Sequence, residues 1–83
     1  MKIRLTGKAK KGLENLSVNM KKSVNTFLQD LSASYPAPSG WNIKKMSTGD
    51  YRLKMDYRHR LIYSIEKDFI KVTYIGTREG AYK

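Results

Sequence analysis

Eighty-three residues with seventeen Lys and Arg against seven Asp and Glu carry a formal net charge of +10, which makes one small domain and favours a polyanionic partner such as nucleic acid or an acidic protein. With no cysteine in the chain, neither a disulfide framework nor a thiolate metal site is available, and a reducing compartment is expected. No apolar run approaches the roughly 20 residues that span a bilayer, and the opening MKIRLTGKAKK lacks the apolar core of a signal peptide, so the expected location is cytoplasmic, with no membrane partner.

Lys2 to Thr6 alternates polar and apolar residues with Ile3 and Leu5 on one face, a strand placed at a sheet edge or paired with the last strand. Gly7 breaks it. Lys8 to Leu16 then sets Ala9, Leu13 and Leu16 at helical spacing, although Gly12 weakens this helix by about 1 kcal/mol relative to Ala. Ser17 is suited to cap a second helix carrying Met20, Val24, Phe27, Leu28 and Leu31. Tyr35 to Gly40 ends that helix, since its two prolines remove donors and restrict the residues before them. Trp41 to Thr48 stays ambiguous, with Trp41 and Tyr35 read as core or partner-groove residues before base-stacking platforms.

From Tyr51 onward the period is two. Tyr51, Leu53 and Met55 alternate with Arg52 and Lys54; Arg60 to Glu66 puts Leu61, Tyr63 and Ile65 on one side and Arg60, Ile62 and Ser64 on the other; Phe69 to Ile75 is β-branched and aromatic and closes at Gly76. The links, Asp56 to His59 and then Lys67-Asp68, are short enough to require antiparallel hairpins. The order β-α-α-β-β-β predicts an α+β fold over residues 1–83: a helical hairpin on one face of a small, mainly antiparallel sheet, with the opposite face exposed.

Chemistry narrows quickly. His59 is the only histidine, and Asp56, Glu66, Asp68 and Glu79 show no ligand spacing, so neither a metal nor a catalytic triad is expected. Gly76 to Gly80 has too few glycines for a phosphate loop. What remains is Arg52, Lys54, Arg60, Arg78 and Tyr82: guanidinium groups grip a scissile phosphate, Lys54 takes a proton, and Tyr82 stacks on a base or shares in proton transfer. Lys44, Lys45, Arg58, His59 and Lys83 join Arg52 as RNA contacts. The competing reading of the same alternation is a solvated basic face.

Tyr51-Arg52-Leu53-Lys54-Met55, Arg60-Leu61-Ile62-Tyr63, Tyr74-Ile75-Gly76-Thr77-Arg78-Glu79 and Ala81-Tyr82-Lys83 resemble the RelE branch of the RelE/ParE toxin superfamily. That resemblance implies the toxin of a type II toxin-antitoxin system, a ribosome-dependent endoribonuclease that cuts mRNA in the A site of the 70S ribosome. It implies no metal or other cofactor, attack by the ribose 2′-hydroxyl on the adjacent phosphate, and RNA held on the open sheet face. Carried onto this chain, it gives catalytic roles to Lys54, Arg60, Arg78 and Tyr82. Arg52 stands where a lysine is found in the best-known member, which leaves Lys54 as the base. It also implies a cognate antitoxin, partly acidic and wrapped around the toxin in a hetero-oligomer. The alternative is a ParE-like toxin that poisons DNA gyrase without nuclease activity.

Overall fold

Thr6 finishes one element and starts another. Its backbone N–H donates to the Val72 carbonyl at 3.0 Å and its hydroxyl to the Thr73 carbonyl at 3.3 Å, while the same hydroxyl oxygen accepts from the Ala9 N–H at 3.2 Å. One side chain thus caps a helix and pins its first turn to a strand far along the chain.

The computed structural model describes residues 1–81 as β1 (Lys2–Leu5), α1 (Gly7–Glu14), α2 (Val18–Ala33), β2 (Ile43–Lys45), β3 (Tyr51–Lys54), β4 (His59–Ile65), β5 (Phe69–Thr77) and α3 (Arg78–Ala81). Ser17 caps α2 by accepting from the Met20 N–H at 3.2 Å. The five strands form one sheet in the order β1-β5-β4-β3-β2. Only the β1–β5 pair is parallel, Lys2 opposite Phe69 through Leu5 opposite Val72. The α+β architecture read from the sequence is the architecture observed.

The helices bury Ala9, Val24, Phe27 and Leu31 against Leu53, Leu61, Tyr63, Ile70, Val72 and Ile75 of the sheet. Aromatic rings fill the α2 side of this core. Phe27 meets Trp41 edge-on at 5.1 Å and Tyr63 at 5.8 Å, and Tyr63 stacks on Tyr51 at 5.3 Å. Tyr63 donates its hydroxyl to the Pro36 carbonyl at 2.6 Å; burial, then the neighbouring Tyr51, push its ionisation far above the ordinary tyrosine value. Trp41 donates to Asp30 at 2.8 Å, so the indole closes the core, as one of its two readings held.

Strand β5 carries a bulge. Ile62 pairs with Tyr74 and Tyr63 with Val72, leaving Thr73 as the extra residue, its hydroxyl donating to the Ile62 carbonyl at 3.3 Å. Because of that extra residue, Val72 and Ile75 both reach the core although they stand three apart.

The structure departs from the sequence reading at several points. The ambiguous stretch after Trp41 contains β2, whose three residues hold a single apolar side chain. Met55 leaves β3, and β4 begins one residue earlier than expected, at His59. Strand β5 runs on to Thr77, past its expected close at Gly76, and passes directly into the single turn α3. The face away from the helical hairpin is not bare: Ile62 and Arg60 on it are only 7% and 5% exposed. α3 packs back against β4 and β5, and the Arg60 side chain folds over its own turn.

Candidate nucleic-acid interface

Pairing register decides which cations meet. Lys44 lies opposite Arg52, Arg52 opposite Ile62, and Ile62 opposite Tyr74; one rung further, Lys54 lies opposite Arg60 and Arg60 opposite Gly76. Residues in register share a face, and neighbouring strands run about 4.8 Å apart. Lys44, Arg52, Lys54 and Arg60 therefore occupy adjacent positions on the face away from Leu53 and Leu61. Lys45 does not join them: it pairs with Tyr51 on the other face, its ammonium 5.8 Å from that ring.

Like charges directly opposite each other oppose pairing. At the Lys54–Arg60 rung the repulsion is relieved by the turn of residues 55–58. Arg60 Nη1 donates to the Asp56 carbonyl at 2.6 Å and to the His59 carbonyl at 3.0 Å. Its Nε has no hydrogen-bond partner among the described residues. A buried guanidinium with an unmatched N–H is energetically expensive, and such a group is better placed beside an anion than alone.

Asp56 organises the turn from its other end. Its carboxylate accepts from the Arg58 and His59 N–H groups, both at 2.8 Å, and from the His59 ring, Nδ1 to Oδ1 being 3.1 Å. Burial opposes ionisation here, but the two N–H donors and the His59 ring outweigh it and hold the carboxyl below its ordinary 3.8. The Arg58 carbonyl accepts from the Arg78 N–H at 2.7 Å, which fastens the start of α3 to the same turn. The Arg78 guanidinium stands exposed, 3.9 Å from Glu79.

Of the residues singled out from sequence, Arg52, Lys54, Arg60 and Lys44 gather on one face, and Arg58 and Arg78 meet through their backbones at its turn end. His59 lies in register with Thr77 on the other face. Tyr82 and Lys83 lie outside the described residues. Sequence reading passed over Asp56 as a mere turn residue, although an Asp two and three positions ahead of the N–H groups it caps is the signature of an Asx turn. Tyr74, whose ring flanks Gly76, had no signal of its own. Among the described residues no helix is long and apolar enough to cross a membrane.

No protein-family model and no curated protein matches the chain. Solved structures do. A RelB-RelE antitoxin-toxin complex from Methanococcus jannaschii contains a chain of 16% identity and TM-score 0.79, matched over 94% of this chain and 93% of that one. The YoeB dimer from Staphylococcus aureus matches at 17% identity and TM-score 0.79, over 92% and 94%. A copper-bound mutant toxin from Helicobacter pylori matches at 14% identity and TM-score 0.81, over 96% and 97%. At such identities the likeness concerns the backbone, and the chain has the RelE-like fold.

Proposed function

We propose that this protein is the toxin of a type II toxin-antitoxin system and acts as a ribosome-dependent endoribonuclease. The observation carrying this reading is the Lys54–Arg60 rung with Arg52 beside it: three cations on neighbouring strands, one of them buried with an unmatched N–H, on the face away from the helices. Concentrated positive charge of this kind stabilises the extra negative charge that a phosphate acquires when a ribose 2′-oxygen attacks it. In this scheme Lys54 accepts the 2′-hydroxyl proton, and the P–O bond to the 5′-oxygen breaks as the new bond forms. Arg60 and Arg78 bear on the phosphate oxygens, and Tyr82 supplies a proton to the leaving 5′-oxygen. Arg52, Lys44 and Arg58 hold the mRNA backbone.

The antitoxin belongs to the same proposal. The Methanococcus jannaschii relative was solved with its antitoxin, and a chain of +10 is complemented by a partly acidic partner.

Cleavage of mRNA on translating ribosomes tests the assignment. Lys54→Ala and Arg78→Ala are expected to lower the rate by about 10²-fold or more, the usual effect of removing a transition-state donor. Both remove exposed side chains, so folding is preserved, whereas Arg60→Ala would also release the turn. Cutting at the wild-type rate by both variants refutes the roles given. Toxicity that survives loss of all four of Lys54, Arg60, Arg78 and Tyr82 would move the assignment to gyrase poisoning.

A further inference from the structure

β1 accompanies β5 only as far as Val72, and beyond that point the outer side of β5 faces α1 instead of another strand. The two do not close completely. Between them lies a cleft of about 320 Å³, within the range of small-ligand sites and at its lower end. Lys8, Lys11 and Asn15 line it from α1, at spacings of three and four that put all three on one helix face; His59, Tyr74 and Thr77 line it from the sheet. Its floor is the backbone at Gly12 and Ile75.

We infer that this cleft binds a nucleotide phosphate: the phosphate between the Lys8 and Lys11 ammonium groups, the base against Tyr74. Among the described residues no carboxylate lines the cleft, so the two ammonium groups face an incoming anion without an acidic competitor there. His59 turns Nδ1 to Asp56, which leaves Nε2 as the ring nitrogen for a ligand. Tyr74 is held in place by donating its hydroxyl to the Thr77 carbonyl at 2.8 Å, and its ring sits over Gly76 and Gly80, where an added Cβ would strike it. Lys8 Nζ already lies 5.4 Å from that ring, so a cation and an aromatic face are presented together. Asn15 and Thr77 add an amide and a hydroxyl for base edges. Tyr74 stands in register with Ile62 on the face of the Lys54–Arg60 rung, whereas His59 and the α1 lysines lie on the helix side, and because its test reads binding and not cleavage the inference stands whether or not that rung cuts RNA.

The ligand chemistry has two sources, a free nucleoside monophosphate or the 5′-phosphate end of an RNA. An NMR titration of the full chain compares AMP, inorganic phosphate, and a short RNA with and without its 5′-phosphate. AMP is expected to give saturable shifts at the Asn15, His59 and Thr77 amides, with affinity about tenfold weaker in Lys8→Gln/Lys11→Gln, as fits the loss of charged hydrogen bonds. Lys10→Gln, an exposed α1 lysine outside the cleft, should bind as the parent does. Tighter binding by the 5′-phosphorylated RNA than by AMP identifies the RNA end as the source, and the reverse identifies the free nucleotide. Shifts that fail to saturate, equal affinity in the double variant, or inorganic phosphate binding as tightly as AMP would each overturn the inference.

Discussion

At the scale of single residues, Asp56 does the most with the fewest atoms. Its carboxylate closes the turn between β3 and β4, and its carbonyl receives the Arg60 guanidinium, so the geometry of the cationic rung depends on one ionised group. The pKa of Asp56 in the folded chain lies below the ordinary value, so its contribution is fully present above that value and disappears as pH falls through the folded one. NMR of the Arg58 and His59 amides between pH 5 and 2.5 should therefore show a shared transition with a midpoint under 3.8. A midpoint at or above 3.8 would mean that the caps do not favour the carboxylate. That Lys54 and Arg60 can share a face was legible beforehand, because each stands opposite the apolar side chains of its own strand, whereas their direct pairing came only with the register. The burial of Arg60 was not legible, because it follows from where a turn carbonyl comes to rest.

Helix α1 shows how an element can be read correctly for the wrong reason. Gly12 looks like a defect in a helix interior, and propensity alone predicts a gain of about 1 kcal/mol on changing it to Ala. In the fold, a Cβ at that position would occupy the space of the Ile75 carbonyl, a backbone atom that cannot swing aside. Gly12→Ala is thus expected to destabilise the protein by about 1–3 kcal/mol, as overpacking against a fixed neighbour does, measured as a lower denaturant midpoint. An unchanged or raised midpoint would show that α1 is free to move off β5. Other elements divide along the same line. The helices and the strands after Tyr51 were legible because each carries several apolar residues at a clear period. β2 was not, because Ile43 alone marks it and the rest of its definition comes from pairing with Tyr51 to Leu53. The bulge at Thr73, which brings Val72 and Ile75 to one side, likewise has no local signature, and neither does the cleft beside it, since both require α1 and β5 to be docked.

For the whole molecule, charge is the dominant long-range property. A net +10 draws any polyanion, and affinity of that origin weakens with salt because counterions are released on binding. Binding to a non-cleavable 2′-O-methyl RNA should fall linearly on logarithmic axes as salt rises. Lys44→Gln with Arg58→Gln should reduce the steepness by about 1.4, near 0.7 for each lost phosphate contact on a single strand. An unaltered slope would remove those two cations from the RNA path. Composition announced this attraction at once, whereas the face on which it concentrates became visible only through strand order.

That strand order also fixes when the molecule can exist. Residues 2–5 emerge from the ribosome long before Phe69 to Val72, the segment whose amides and carbonyls they must meet. A nascent polypeptide stalled short of Phe69 has a first strand with no mate, a helix cap at Thr6 without its anchor, and Ala9 and Leu31 facing water in place of Ile70 and Val72. Translation must therefore run past β5 before the sheet that carries the cations can close over its helices.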